Sequence, residues 1–458
     1  MDLAGKTVAV VGLGRSGVAA ARACLARGAR VLCNDAAPRE RLSPAALALE
    51  AEGAALLAGG HDAIDWRAVH LIVISPGVSP FPALLDAEAR GVPALGELDL
   101  AWQLLAPAPP TIAIGGTNGK STTTTLVGVI LEAAGRRAFV GGNLGIALAE
   151  VLPPPGVPCP FDTLVLEVSS FQSERMPALR PRAATLLNIT PDHLDRYASF
   201  EDYSDAKGNL LLRMDEGDTV VIPAGDPLCA RQARRARPGA RVVTFGPGGD
   251  VRVEADRLVD TLHGDTYLRS EIRLQGEHNL LNAAAAIALA RGAGVENDPI
   301  RQALRDFAGL AHRIALVAEI DGVRYYDDSK GTNVGASVAA LRGLAEPRAV
   351  LIAGGRDKQG GYGPLVAALR ERGRALVVLG EAADRIAEAA AGALPIHRAS
   401  SMEEAVALAR EAAQPGDAVL LSPACSSFDM FRDYRERGER FAEAVRSLLV
   451  VPSPGAPT

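Results

Sequence analysis

Residues 115–122 read Gly115-Gly116-Thr117-Asn118-Gly119-Lys120-Ser121-Thr122, after an apolar run at 112–114 and ahead of a helix-forming stretch. Glycines in such a loop let backbone N–H groups wrap a polyphosphate. A lysine adds a point charge, and a Ser or Thr hydroxyl can hold Mg²⁺. The general G-x-x-x-x-G-K-[ST] spacing is broken, because Ile114 stands at its first glycine position. The strand–loop–helix context still predicts ATP binding. A second glycine loop, Gly12-Leu13-Gly14-Arg15-Ser16-Gly17, follows the run at 7–11, and Asp35 ends the next run. This pattern suits a dinucleotide, a diphosphate without nicotinamide, or a tight turn demanded by helix–sheet packing. The residues alone leave all three open. Ser75-Pro76-Gly77 ends a further run and falls on the same expected edge.

Other candidates sit where apolar runs stop. Glu167 follows 163–166, well placed to coordinate a metal beside a phosphate loop; a helix amino-terminal charge is the competing reading. His193 lies between Asp192 and Asp195 in T-P-D-H-L-D-R-Y. A ligand and a structural histidine are equally consistent with that setting. Lys207 reads as an ordinary solvated helix lysine, and Lys330 and Lys358 read as loop lysines or surface charge.

Short Val, Ile and Leu runs at 7–11, 71–74, 112–114, 163–166, 349–352, 375–379 and 418–421 alternate with Ala-rich helical stretches. Continuous apolar runs mark strands covered by helices on both faces, so the expected class is α/β with parallel sheets. At roughly 150 residues per domain, the length predicts about three domains. Breaks at the A-P-A-P-P stretch (106–110) and near 309–313 support that division, and Asp321-Gly322 is a hairpin signal. The expected limits are 1–96, 97–310 and 311–458.

The chain has 458 residues, 48 basic against 54 acidic, for a net charge of -6, and no broad phosphate-binding surface is expected. Nucleic acid is therefore not an expected partner. A hydrophobic content of 48% with 22% charged residues fits a globular protein, and no apolar run approaches the roughly 18 residues of a membrane span. The five cysteines are scattered without a C-x-x-C pair, so neither a disulfide framework nor a zinc site is indicated. With no leader pattern at the amino terminus, a cytoplasmic location and a monomer are expected.

In sum these motifs resemble the Mur ligases, ATP-dependent amino-acid ligases of peptidoglycan precursor synthesis. The carriers are G-T-N-G-K-S-T at 116–122, E-V-S-S-F-Q at 167–172, N-I-T-P-D-H-L-D-R-Y at 188–197, and G-E-H-N-x-x-N at 276–282. They continue through A-H-R at 311–313, D-D-S-K-G-T-N at 327–333 and S-P-A-C-S-S-F-D-M-F at 422–431, in order along nearly the whole chain. The resemblance implies a Rossmann-like first domain, a central P-loop ATPase-type domain with a parallel or mixed sheet, and a Rossmann-like last domain. D-S-K-x-T-N, S-P-A-C-S-S-F and the amino-terminal loops resemble the branch that adds D-glutamate to UDP-N-acetylmuramoyl-L-alanine. An L-alanine-adding or third-residue-adding relative is the alternative.

The resemblance further implies site residues. Gly115, Gly116, Thr117, Asn118, Gly119, Lys120, Ser121 and Thr122 would hold ATP, with Asn279, Asn282, Arg313 and Asp328. Gly14, Arg15, Ser16, Asp35, Ser75, Gly77 and Asn143 would hold the uridine diphosphate substrate. Lys330, Thr332, Lys358, Ser427, Phe428 and Tyr434 would surround D-glutamate. Lys120, His193 and Lys207 would be catalytic. Ser121, Glu167, His193 and a carbamylated Lys207 would hold two Mg²⁺ ions. An NAD-dependent oxidoreductase leaves the 116–122 loop idle, a non-catalytic ATP-binding regulator leaves Glu167 and His193 idle, and folylpolyglutamate synthetase leaves the first hundred residues unexplained.

Overall fold

The computed structural model describes residues 1–194, 196–274, 276–357 and 361–449. It has three sheets. The first orders its strands β3-β2-β1-β4-β5, all parallel: β1 (Thr7–Val11), β2 (Arg30–Asp35), β3 (Ala55–Ala58), β4 (Leu71–Ile74) and β5 (Ala94–Gly96). Side chains alternate between faces. Val8, Val10, Leu71 and Val73 enter one core, while Ala9, Val11, Ile72 and Ile74 enter another. Burial on both faces is why these strands read as unbroken apolar runs.

The second sheet contains β6 (Thr111–Gly115), β7 (Ala138–Gly142), β8 (Thr163–Glu167), β9 (Ala183–Leu186), β10 (Thr219–Pro223), β11 (Arg241–Gly246), β12 (Val251–Val253), β13 (Arg257–Asp260) and β14 (Asp265–Leu268). Its order is β14-β13-β12-β11-β10-β9-β6-β8-β7, and only the β12–β13 and β13–β14 pairs are antiparallel. Strand β6 lies inside the sheet between β9 and β8 and is buried throughout, so the loop that leaves it starts from a fully buried position. The helix Glu97–Leu104 links these two sheets: Leu100 joins the core of the first, while Asp99 accepts from the N–H groups of Ala178 and Leu179.

The third sheet contains β15 (Ala315–Ile320), β16 (Val323–Asp327), β17 (Ala349–Gly354), β18 (Gly373–Leu379), β19 (Ile396–Arg398) and β20 (Ala418–Leu421), in the order β15-β16-β20-β17-β18-β19. Only β15 and β16 are antiparallel. Asp321 and Gly322 between them have φ of 52° and 76°, the double positive φ that matches hairpin twist. The class is α/β with parallel and mixed sheets, as expected.

The chain forms two compact units. One comprises Met1–Ile189, Glu201–Ile272 and Leu281–Phe307, and holds the first two sheets; the other comprises Thr190–Phe200, Arg273–Leu280 and Ala308–Thr458. No helix among the described residues is long and apolar enough to cross a membrane.

Candidate active site

In the first unit, β6 runs into the phosphate loop, and the helix Lys120–Ala133 follows at once. Gly119 caps that helix with φ 87°; a Cβ there would stand 2.2 Å from Asn282 Oδ1. Gly116 has φ 125°, and a Cβ would come within 3.0 Å of Leu187 N. Only glycine satisfies both the backbone and the space. Asn188 straps the loop: its carbonyl accepts from Thr117 N at 2.9 Å, its Oδ1 from Asn118 N at 2.8 Å, and its Nδ2 donates to Asn118 O at 3.0 Å. Lys120 folds back to donate to the carbonyls of Gly116 at 3.0 Å and Thr117 at 2.8 Å. Ser121 and Thr122 are buried in the first turn.

Glu167, 3% exposed, ends β8 next to β6. Asn143 Nδ2 donates to its Oε1 at 2.7 Å, and Asn143 N donates to its carbonyl at 2.9 Å. Lys207, 4% exposed on the helix Phe200–Gly208, donates to Gly116 O at 2.8 Å and lies 4.6 Å from the Tyr203 ring centre. Tyr203 Oη meets Thr117 Oγ1 at 3.0 Å. Lys207 is thus a buried helix residue that reaches the phosphate loop rather than a solvated one. Two lysines share the Gly116 carbonyl.

On the first sheet, the Gly12–Gly17 loop, Asp35 and Ser75 meet at the carboxyl ends of parallel strands. A Cβ at Gly17 would stand 1.8 Å from Gly12 O, and one at Gly12 would stand 2.6 Å from Val78. Those two glycines serve packing. Nothing lies within 4 Å of a Cβ on Gly14 or Gly77, so packing does not account for them. Ser75 Oγ donates to Gly12 O at 2.7 Å. Asp35 spends Oδ2 on Leu13 N at 2.7 Å and Oδ1 on Ala37 N at 2.8 Å, so its carboxylate closes the loop. Arg15 donates to Glu150 at 2.7 Å and to Gly145 O at 2.5 Å, which joins this loop to the 141–146 turn that carries Asn143. Ser16, half-buried, lies in the first turn of the helix Arg15–Leu25.

The second unit holds the remaining candidates. His193 has φ 54°, a conformation that costs a non-glycine residue about 1–3 kcal/mol. Asp192 accepts from His193 N at 3.0 Å and from Asn333 Nδ2 at 3.3 Å, while Asn333 Oδ1 caps the helix Val334–Gly343 through Ala336 N at 2.9 Å. A cavity of about 460 Å³ opens here, with Asp192, His193, Asn333, Asp357 and Tyr362 in its wall.

Asp328 leaves β16 buried, accepting from Ser422 Oγ at 2.6 Å, and burial pushes its carboxyl up to about 7. The Arg313 charge opposes that rise; burial first, and the same charge second, lower the His278 pKa, and Arg313 Nε is buried with no partner among the described residues. Asn279 and Asn282 lie on the one helix Glu277–Gly292; Asn279 belongs to this unit, Asn282 to the other. Lys330 Nζ stands 5.2 Å from the Tyr434 ring centre, and its N–H donates to His312 O. His312 Nδ1 meets Asp327 Oδ2 at 2.6 Å. Thr332 is half-buried, Ser427 is buried, and Phe428 is 65% exposed. Lys358 lies outside the described residues. Asn188, Asp192 and Asn333 sit inside motifs quoted above, but their strapping and capping roles emerge only in three dimensions.

Among the described residues, no group of three or more His, Cys, Asp or Glu side chains could hold a metal ion. Mg²⁺ does not require one, because it takes one or two protein oxygens and fills its shell with water and substrate phosphate. Ser121 and Glu167 are hard oxygen donors of that kind.

Family models match in sequence order. Residues 6–96 match a Mur ligase MurD-like N-terminal domain, 114–290 a Mur ligase middle domain, and 312–425 a Mur ligase glutamate ligase domain. The UDP-N-acetylmuramoylalanine--D-glutamate ligase of Pelotomaculum thermopropionicum is 42% identical, covering 98% of this chain and 99% of that protein. The ligase of the same name from Syntrophotalea carbinolica is 44% identical, with 98% and 99% covered. Among solved structures, the MurF ligase of Thermotoga maritima in complex with ADP aligns with a TM-score of 0.61 at 18% identity, covering 93% of this chain and 96% of that one. MurC of Thermotoga maritima aligns at 0.59 with 21% identity, covering 97% and 99%. Those two establish the fold. The near end-to-end identity decides the lineage: the chain belongs to the Mur ligase family, alongside the UDP-N-acetylmuramoylalanine--D-glutamate ligases.

Proposed function

We propose that this chain joins D-glutamate to UDP-N-acetylmuramoyl-L-alanine at the expense of ATP, in the cytoplasm, as a monomer whose domains span 1–96, 97–310 and 311–458. The observation that carries this reading is the 42–44% identity over 98% of the chain to ligases of that name. The glycine geometry of the first sheet agrees with it. Gly14 and Gly77 have open space where backbone can approach a diphosphate.

Activation precedes bond formation, because a carboxylate is a poor electrophile. The terminal carboxylate oxygen of the alanyl substrate attacks the γ-phosphorus of ATP, the bond to the β-phosphate oxygen breaks, and ADP leaves. The amine of D-glutamate then attacks the acyl phosphate carbonyl. The tetrahedral adduct loses phosphate and a proton to give the amide. Joining two anions in the first step requires charge neutralisation above all.

The loop N–H groups between Gly115 and Thr122, held open by Asn188, orient the phosphates, and Lys120 turns from its carbonyl partners onto the β- and γ-oxygens. Ser121 and Glu167 would hold one Mg²⁺, and His193 with carbamylated Lys207 a second; the ions supply Lewis-acid charge at the transferring phosphoryl group. Carbamylation would replace one of two neighbouring cations by an anion, which relieves the crowding at Gly116 O. Asn279, Asn282, Arg313 and Asp328 would bind the rest of the nucleotide. Gly14, Arg15, Ser16, Asp35, Ser75, Gly77 and Asn143 would bind the sugar nucleotide, with Asp35 acting through the loop it closes. Lys330, Thr332, Lys358, Ser427, Phe428 and Tyr434 would receive the amino acid.

The test is phosphate release from ATP with Mg²⁺ and UDP-N-acetylmuramoyl-L-alanine, amino acids being added singly. Release with D-glutamate alone supports the reading. Release with L-lysine or L-alanine instead moves the chain to a sister activity, and tight NAD(H) binding without ligation refutes the ligase reading.

A further inference from the structure

Arg437, in the first turn of the helix Tyr434–Ser447, is among the largest buried side chains of the protein, 2% exposed. Its guanidinium donates six hydrogen bonds. Nε reaches Ser329 Oγ at 3.0 Å; Nη2 reaches Ser329 O at 2.8 Å and Cys425 O at 3.2 Å; Nη1 reaches Cys425 O at 3.2 Å, Ser426 O at 3.3 Å and Gly354 O at 3.5 Å. Every acceptor is a hydroxyl or a backbone carbonyl. Burial lowers its pKa to about 10, so it stays charged at neutral pH. A buried cation whose hydrogen bonds all go to neutral oxygens, and which the Asp429, Asp327 and Asp328 carboxylates reach only through space, is costly, and a helix surface that could face solvent does not need one.

Its acceptors lie on three separate loops. Ser329 immediately precedes Lys330, Cys425 and Ser426 immediately precede Ser427, and Gly354, the last residue of β17, opens the segment that leads to Asp357. Tyr434, on the same helix, is joined too, because its carbonyl accepts from Ser329 Oγ at 2.8 Å. The loops are tight against one another: Arg356 N donates to Ser426 O at 2.9 Å, and a Cβ on Gly355 would stand 2.2 Å from Ser426 O and 3.1 Å from Arg437 Nη1. One planar fork thus fixes the backbone beside Lys330, Ser427 and Tyr434.

We propose that Arg437 is the positioning residue of the amino-acid pocket: it sets the spacing of the three loops, and through them the affinity for D-glutamate, without touching that substrate. The inference rests on the ligase reading above. Lysine cannot replace it, since an ammonium keeps the charge but lacks the planar five-donor fork.

Arg437→Lys and Arg437→Gln test it, with each substrate varied in turn. The expected result is a rise of ~10–100-fold in KM for D-glutamate, the loss of one or two charge-assisted hydrogen bonds' worth of alignment. KM for ATP and for the sugar nucleotide should stay essentially unchanged, and the Lys variant should melt cooperatively. An unchanged D-glutamate KM in both variants overturns the proposal. So does an equal rise in all three constants, which marks a residue that only stabilises the fold. Failure of the ligase reading shows separately, in the wild type. If another amino acid is the substrate, its KM is the one compared. If there is no turnover, D-glutamate binding by saturation-transfer NMR makes the comparison directly, and equal signals from wild type and variants overturn the proposal.

Discussion

Asn143 holds Glu167 twice, by its side-chain amide at 2.7 Å to the carboxylate and by its N–H at 2.9 Å to the carbonyl. A carboxylate that coordinates Mg²⁺ gains fixed orientation and unchanged charge from such a neutral donor. Asn143→Ala should therefore raise the Mg²⁺ concentration for half-maximal phosphate release by ~10–100-fold. A metal titration with the normal midpoint would show that Asn143 serves the muramoyl substrate alone.

Lys120 is the one loop cation whose charge has to move onto the phosphates. Lys120→Ala should lower kcat by about two to three orders of magnitude or more, with an unaltered circular-dichroism spectrum. Near-normal phosphate release would remove the nucleotide from this loop.

Lys207→Ala deletes a buried amine rather than a surface charge. If that amine carries a carbamate in the working enzyme, acetate or formate should restore part of the lost turnover in proportion to concentration, whereas chloride at equal ionic strength should not. Equal responses to both salts would mean the lysine acts as a plain cation.

The glycines of the first loop divide by what surrounds them. Gly17→Ala places a Cβ 1.8 Å from Gly12 O and should lower the melting temperature, whereas Gly14→Ala meets nothing within 4 Å and should fold normally. The second variant should instead raise KM for the sugar nucleotide by ~10-fold, about 1.4 kcal/mol of lost backbone approach. Matching melting temperatures for the two variants would contradict this division.

Glu97 begins the helix between the first two sheets, accepts from Ala149 N at 2.6 Å, and is pushed by burial from 4.5 up to about 7, with Glu150 adding to the rise. The native state keeps a proton that the unfolded chain releases across that window. Stability from this group therefore falls as pH rises from about 4.5 to 7 and is flat above. Glu97→Gln keeps the acceptor and should remove the fall, gaining on the order of 3 kcal/mol at pH 8 and nothing at pH 4. Urea unfolding followed by tryptophan fluorescence reads the effect, because Trp66 and Trp102 are both in that unit. Parallel midpoint-against-pH curves for the two proteins would refute it.

The sequence made the sheets legible because parallel strands are buried on both faces, and Val8 to Val11 or Leu71 to Ile74 admit no polar residue. The phosphate loop was legible because its glycines, lysine and hydroxyl are adjacent in the chain. What stayed hidden depends on residues that meet only after folding. Arg437 looks like any arginine in a charged run beginning at Arg432, and nothing local distinguishes a buried fork from a solvated one. Lys207 reads as exposed until Tyr203 and Gly116 O are seen beside it. Asp35 has the position of a ribose ligand, yet two backbone N–H groups claim its oxygens. The helix at Glu97 falls beside a boundary expected from composition, although its side chains serve the sheets on either side.

The fit of Asn282 over Gly119 carries a consequence for synthesis of the chain. The two lie on segments far apart in translation order, and the amide fills the space that a side chain on the glycine would need. A ribosome-bound nascent chain that ends before the helix Glu277–Gly292 has therefore made the anion-binding turn without its lid of amide. Nucleotide retention should begin only after that helix clears the exit tunnel, so the growing polypeptide passes most of its synthesis unable to bind triphosphate tightly.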